Sequence, residues 1–103
     1  MQVMTVEEYI RKGESLFGKD RKKWKFICPK CGTIQSYKDF EDAGVPTNQI
    51  WYRLGFSCIG RFTAKMGCNW TLGGLFQIHK LEVIDKKGKK HPRFEFYEKH
   101  NGF

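Results

Sequence analysis

Cys28-Pro29-Lys30-Cys31-Gly32 opens the segment that decides the fold, and Cys58 and Cys68 close it. Two thiolates separated by two residues can bind one metal ion, because the backbone between them curls around it. Gly32 suits such a turn, since glycine tolerates a positive φ angle. The first two cysteines therefore predict a metal-binding knuckle at the tip of a hairpin.

The second pair of cysteines is separated by nine residues, which is wider than a tight knuckle. Gly60 and Gly67 would let this loop bend back, so that both sulfurs reach the same ion. Four cysteine ligands form a closed tetrahedral shell, which is the structural kind of zinc site. The sequence predicts one structural Zn²⁺ bound by all four cysteines, namely Cys28, Cys31, Cys58 and Cys68.

Other uses of these thiols stay open at this point. Two disulfides are one alternative, but the chain has no signal peptide, and a reducing compartment disfavours disulfides. A redox dithiol is another, although a thioredoxin-like site would need a βαβ context that the pattern lacks. A histidine could also replace one cysteine of the second pair, and the candidates are His79, His91 and His100.

Length and composition predict a single zinc-binding domain over residues 1–103. Aromatic residues make up 16% of the chain, enough to fill a modest core that a metal site would stabilise further. No apolar run is long enough to span a bilayer, so we expect no membrane association. Without a targeting segment, we expect a cytoplasmic protein.

The charge of the chain is strongly positive and unevenly distributed. The formal net charge is +8, and residues 11–25 and 86–93 each carry a net charge of +5. Such a balance favours an anionic partner, either nucleic acid or an acidic protein surface. Solvated loops are the plainer explanation of the two blocks.

The N-terminal region predicts an amphipathic helix over residues 6–17. Thr5 and Glu8 have the spacing of a capping box, and apolar residues then recur at helical intervals up to Gly18. Gly13 either weakens this helix or marks a close approach to another element.

The rest of the pattern completes an α+β fold with a zinc ribbon over residues 24–72. Strands flank the first knuckle, and two short helices form an insert between the cysteine pairs. Because the insert is mixed in charge, we expect it to pack on the core rather than bind nucleic acid. The predicted elements are strands over 24–28, 33–35 and 70–72, insert helices over 39–44 and 47–55, and a C-terminal β-hairpin over 75–97 with a turn at 85–89 and a returning strand over 93–97.

Three runs carry a resemblance to known proteins: Cys28-Pro29-Lys30-Cys31-Gly32, Phe56-Ser57-Cys58-Ile59-Gly60-Arg61, and Gly67-Cys68-Asn69-Trp70-Thr71-Leu72-Gly73-Gly74-Leu75-Phe76. Together they resemble a family of small, uncharacterised proteins of bacteria and their phages, over about residues 9–96. That family has no settled activity. The knuckle followed by Gly55-Phe56-Ser57-Cys58 is also similar to the C-terminal zinc ribbons of type I topoisomerases, which implies binding of single-stranded DNA.

The motifs of catalysis do not occur in the chain. There is no Walker loop, no Gly-x-Ser-x-Gly and no His-Glu-x-x-His. Asp39, Glu41 and Asp42 cluster at the start of a short helix, where acids complement the helix dipole. A zinc ion with four cysteine ligands has no open position for water. We therefore expect a protein that is not an enzyme.

The expected function is binding of nucleic acid, with cations on phosphates and exposed aromatics on unpaired bases. Trp24 and Phe62 could instead be core residues. The alternative is a protein-binding module, such as a phage inhibitor of a host nucleic-acid enzyme, and self-association through an edge of the C-terminal hairpin is a third possibility. The candidate residues are Arg21, Lys22, Lys23, Trp24 and Lys25, then Arg61, Phe62 and Lys65, and finally Lys86, Lys87, Lys89, Lys90 and Arg93.

Overall fold

The computed structural model describes residues 2–72 and 80–98, and in these residues the fold is α+β, as predicted. The helices are α1 (Val6–Phe17), α2 (Tyr37–Asp42) and α3 (Thr47–Leu54). The strands are β1 (Gln2–Thr5), β2 (Lys25–Ile27), β3 (Ile34–Ser36), β4 (Leu81–Ile84), β5 (Lys90–Arg93) and β6 (Glu95–Phe96). One sheet has the order β1-β4-β5 and the other the order β3-β2-β6. The described helices are too short and too polar to cross a membrane.

Helix α1 has the predicted bounds and the predicted N-terminal cap. The Thr5 hydroxyl accepts a hydrogen bond from the Glu8 backbone N–H at 3.1 Å, and the Glu8 carboxylate accepts one from the Thr5 N–H at 2.8 Å. Gly13 is the buried residue of this helix. A Cβ atom at this position would lie 2.5 Å from the Trp24 ring, so Gly13 does mark a close approach.

The hairpin of β2 and β3 carries the first knuckle at its tip and forms the centre of the core. The strands pair antiparallel, with Phe26 opposite Gln35, and β6 adds to the other side of β2 with Phe96 opposite Phe26. The Phe96 ring lies 4.7 Å from that of Tyr9 and 5.5 Å from that of Trp24, measured between centroids. These aromatic contacts join α1 to the hairpin that carries Cys28 and Cys31.

The helical insert lies between the cysteine pairs, as predicted. Phe40 on α2 and Ile50 and Leu54 on α3 are fully buried. However, Trp51 is 42% exposed and Tyr52 is 56% exposed. The expectation that the insert packs on the core is confirmed, and α3 also presents aromatic side chains to solvent.

The C-terminal hairpin differs from its prediction at the returning strand. The turn after β4 is present, with Gly88 at a φ angle of +83°, but β5 begins at Lys90 rather than Arg93. The chain then leaves β4, since the Phe94 N–H donates a hydrogen bond to the Gly55 carbonyl at 2.7 Å. This bend buries the Phe94 ring in the core and brings β6 onto β2. Residues 75–79 of the predicted hairpin lie outside the described residues.

Strand β1 was not predicted. It pairs with β4 in parallel, with Gln2 opposite Leu81. No local sequence pattern predicts such a strand, because its partner β4 is distant in sequence. In this sheet β4 is central, so β1 and β5 form its edges.

Candidate metal centre and basic surfaces

The four cysteine sulfurs converge on one point. All four Sγ atoms lie within 4.8 Å of one another, and the Cys28–Cys68 and Cys31–Cys58 sulfur pairs are each 3.8 Å apart. A tetrahedron with zinc–sulfur bonds of about 2.3 Å has edges of about 3.8 Å. A disulfide bond would be only about 2.05 Å long, and the thiols here are free. The cluster could hold one metal ion, and its spacing is compatible with zinc.

The first knuckle has the geometry that its sequence predicts. Gly32 takes a φ angle of +76°, and its N–H donates a hydrogen bond to the Cys28 carbonyl at 3.0 Å. The Cys28 N–H in turn donates to the Thr33 carbonyl at 3.0 Å, which closes the hairpin below the turn. As a result the Cys28 and Cys31 sulfurs point to the same side.

The wide gap before Cys68 closes through two glycines, as predicted. A Cβ atom on Gly60 would lie 2.3 Å from the Cys68 backbone nitrogen. Gly67 takes a φ angle of +80°, and a Cβ atom there would lie 2.8 Å from the Cys58 sulfur. This close contact lets the Cys68 N–H donate a hydrogen bond to the Cys58 sulfur at 3.2 Å. The long loop thus provides the same N–H···S contact that a short knuckle provides.

A small clamp holds the two ends of this loop together. Ser57 and Thr71 form an antiparallel bridge, and their side-chain oxygens are 3.0 Å apart. The Cys58 N–H donates to the Trp70 carbonyl at 2.9 Å, and Arg61 donates to the Asn69 carbonyl at 2.9 Å. The short strand predicted over residues 70–72 is represented by this bridge alone in the described part of the chain.

Gln35 links the two halves of the site, and the sequence analysis missed it. Its side-chain nitrogen donates to the carbonyls of Leu54 at 2.7 Å and Ser57 at 3.0 Å, and its side-chain oxygen accepts from the Ile59 N–H at 2.8 Å. The side chain is fully buried. The available signal was register, because Gln35 lies opposite the inward-facing Phe26.

Hydrogen bonds around the cluster favour a thiolate at one position. The thiol of Cys28 beside Cys58, helped by the backbone N–H groups of Cys68 and Gly60, lowers the pKa of Cys58 to about 5 against the effect of burial. The pKa of Cys28 is raised by its hydrogen bond to Cys58 and by burial. Burial is also the largest cause that raises the pKa of Cys68. A bound cation would favour the thiolate form of all four, so metal binding releases protons.

The histidine alternative finds no support among the described residues. His91 lies on β5, and its Nε2 is 2.9 Å from a carboxylate oxygen of Asp85, which belongs to the turn between β4 and β5. That hydrogen bond is the largest cause that lowers the pKa of Asp85. The other candidates, His79 and His100, lie outside the residues that the structure describes.

Two predicted stacking residues are placed in or near the core. Trp24 is 3% exposed, and its indole N–H donates to the Gly18 carbonyl at 2.8 Å. Its assignment as an exposed residue that stacks on bases is therefore wrong, because the ring is buried against Gly13 and Phe96. Phe62 is half-buried, with its ring centroid 5.7 Å from that of Phe40 and 5.8 Å from the Arg53 guanidinium carbon.

The structure brings together one cation of residues 21–25 and one of residues 86–93. Arg21 and Arg93 line one cavity, which also borders Trp51. Arg93 lies at the C-terminal end of α3, with its guanidinium 3.4 Å from the Tyr52 carbonyl and 3.5 Å from the Trp51 carbonyl. The other exposed cations of the two blocks are Lys22, Lys23, Lys25, Lys86, Lys87, Lys89 and Lys90.

Acids border the remaining cations. Lys65, on the loop between the last two cysteines, lines a groove with Asp39 and Asp42. Lys86 and Lys87 line another groove with Glu7 and Asp85. Carboxylates offset the positive potential at both places. The loop that carries Arg61 is not brought next to Arg21 by any shared cavity in the described part of the chain.

Comparison with known proteins identifies a family. The model of the VVA0879-like family matches residues 5–97, and the chain therefore belongs to that family. No curated protein and no solved structure matches the chain. The match includes all four cysteines of the cluster.

Proposed function

For this member of the VVA0879-like family, we propose binding of nucleic acid by a non-catalytic zinc ribbon. One observation carries the proposal: exposed cations of residues 21–25 lie beside aromatic side chains of the insert, where buried Tyr37 packs against exposed Trp51. The Lys22 ammonium is 5.1 Å from the Tyr37 ring centroid, and the Tyr37 ring is 5.0 Å from that of Trp51. Cations beside an exposed ring suit the phosphates and bases of a nucleic acid.

The charge distribution favours the surface around residues 21–25 over the cysteine loop that carries Arg61 and Lys65 and over residues 86–93. Within the described residues, none of the Lys and Arg side chains at residues 21–25 and 86–93 forms an ion pair with an acid, whereas Lys12 pairs with Glu98. Asp20 is the acid nearest in sequence to the first block, and it accepts a hydrogen bond from the Lys22 N–H. The resemblance to topoisomerase zinc ribbons supports a preference for single strands.

The proposed metal is one structural Zn²⁺. Thiolate ligands in a tetrahedral arrangement favour zinc among the common divalent cations. With four protein ligands the ion would have no open position for substrate or water, which supports a non-catalytic role. It would join the β2–β3 hairpin to the segment after α3, and so hold Trp51 beside the first basic block.

The test is a titration of fluorescently labelled single-stranded and double-stranded DNA and RNA at about 50 mM and about 200 mM salt. We expect binding that weakens steeply between the two concentrations, because bound cations release counterions from the phosphates. Replacing Lys22 and Lys23 by Gln should weaken binding and reduce the salt dependence. Lys38→Gln is the matched control, since Lys38 is exposed but pairs with Asp42.

Absence of binding at the lower salt concentration would refute the proposal. The alternative, a protein-binding module such as a phage inhibitor of a host enzyme, draws support from the same exposed aromatic residues, since Trp and Tyr are enriched at interfaces. That alternative predicts one stoichiometric protein partner in a pull-down after nuclease treatment. In this pull-down, Lys38→Gln is the control for a nonspecific effect of surface charge on partner binding.

A further inference from the structure

A cavity of about 170 Å³ lies between α1, α3 and the ends of β2 and β5. Its walls are mainly apolar and aromatic, with Trp24 and Trp51 among them, and Arg21 and Arg93 contribute cations. It lies beside the surface proposed above, because Trp51 and Arg21 belong to both. None of the interactions described for the metal centre uses this cavity.

The cavity contains a hydroxyl group that lacks a partner. The Tyr9 hydroxyl is buried and has no partner in hydrogen-bond geometry among the described residues, although burial raises its pKa and the nearby Arg93 guanidinium opposes that rise. Its ring stacks on Phe96, with centroids 4.7 Å apart, so packing fixes the direction of the hydroxyl. Buried polar groups are nearly always paired, since an unpaired one costs free energy. The Tyr9 hydroxyl is therefore a hydrogen-bonding group available to a ligand.

Arg93 adds donors beside this hydroxyl. Its two contacts with carbonyls of α3 are long, and no carboxylate in the described part of the chain pairs with it. Gly55 gives the guanidinium room, since a Cβ atom there would lie 2.8 Å from the Arg93 Nη2. A guanidinium has more N–H groups than these contacts use. The cavity therefore offers several donors and calls for a ligand with acceptor atoms at one edge.

The size and walls of the cavity point to a single flat ring. A cavity of about 150 Å³ is enough to take up benzene. Arg21 lies near the entrance, with its guanidinium carbon 5.6 Å from the Trp24 ring centroid, and its side chain is exposed. A pyrimidine nucleotide fits these features. Its flat ring carries carbonyl acceptors that would lie inside the cavity, and its phosphate would lie outside the cavity near Arg21.

We propose that this cavity takes one unpaired pyrimidine of a bound single strand. The carbonyl oxygens of the base would accept hydrogen bonds from the Tyr9 hydroxyl and from Arg93, and Trp51 would lie against the base at the entrance. The neighbouring phosphate would bind Arg21. This inference rests on the proposed nucleic-acid binding and adds to it a position where the base matters.

The test compares the affinity for labelled oligothymidylate and oligodeoxyadenylate of about 12 nucleotides at one salt concentration. Wild-type protein should prefer oligothymidylate by about five- to tenfold, the value of one or two net hydrogen bonds. Tyr9→Phe removes the hydroxyl but keeps the stacked ring, so it should abolish most of this preference while the salt dependence stays unchanged. Trp51→Ala should weaken binding of both strands.

Tyr52→Ala is the matched control, because Tyr52 is an exposed aromatic residue of the same helix but does not line the cavity. Thermal melting of each variant checks that it is folded. Equal affinity of the wild type for both strands, or an unchanged preference in Tyr9→Phe, would overturn the cavity proposal alone. Absence of binding to any nucleic acid would overturn both proposals.

Discussion

At the scale of single residues, the cysteine cluster depends on groups that contribute no sulfur. Gln35 and Gly60 contribute no sulfur, yet the first connects the two halves through three hydrogen bonds and the second lets the long loop close. Both act on the backbone. We expect substitution of Gln35 to lower mainly the stability of the protein and substitution of Gly60 to lower mainly its affinity for a metal ion.

Gln35→Leu should destabilise the protein by about 3 kcal/mol or more, because three buried backbone groups lose their partners and each costs about 1–3 kcal/mol. Urea unfolding measures the change. Gln49→Leu is the control, since Gln49 is an exposed residue of α3 and its substitution should change stability by about 0.5 kcal/mol or less. Equal stability of the two variants would show that the Gln35 hydrogen bonds do not contribute to the free energy of unfolding.

Gly60→Ala should impair metal binding, because the added methyl group would overlap the Cys68 backbone. The measurement is the zinc affinity in competition with a chromophoric chelator, and we expect at least a tenfold loss. Gly44→Ala is the control, since Gly44 also belongs to a turn but has open space around it. It takes a φ angle of +83°, so it should cost about 1 kcal/mol of stability without loss of zinc affinity. Unchanged affinity in Gly60→Ala would contradict the loop closure described here.

At the scale of elements, short sequence motifs predicted those elements whose structure depends on interactions between residues that are close in sequence. The capping box at Thr5 and the glycine after the knuckle predicted α1 and the first turn, and the cysteine spacing predicted the cluster. Strand β1 and the split between β5 and β6 were missed, because their partners are distant and the burial of Phe94 decides the bend. Trp24 is a core residue, the alternative that its sequence left open, and Trp51 is partly exposed, since the pattern of a short segment does not show which face tertiary contacts will cover.

The docking of α1 on the hairpin gives a prediction at this scale. Gly13→Ala improves helix propensity by up to about 1 kcal/mol, but its methyl group would overlap the Trp24 ring, and overpacking costs about 1–3 kcal/mol. We expect a net loss of about 1 kcal/mol in chemical unfolding. Ser15→Ala, at an exposed site of the same helix, should be neutral or slightly stabilising. A gain of stability in Gly13→Ala would mean that the helix sits farther from Trp24.

At the scale of the whole molecule, the cluster couples metal binding to pH. The lowered pKa of Cys58 means that this thiol is ionised at neutral pH in the metal-free protein, whereas the raised pKa values of Cys28 and Cys68 keep those thiols protonated. Zinc must displace these protons, so its affinity should rise as the pH increases through neutrality. Zinc titrations in weakly buffered solution should show release of more than one proton per ion at pH 7. Release of none would mean that the thiols are already ionised.

The cluster also connects the parts of the chain that hold Trp51 and Arg21 beside each other. The most direct measurement is therefore the metal content of the purified protein, followed by thermal melting with and without a chelator. The expected result is one zinc ion per chain, a melting temperature that falls when the ion is removed, and recovery when zinc is added back. Purified protein without stoichiometric metal, or a melting temperature that chelation leaves unchanged, would contradict it.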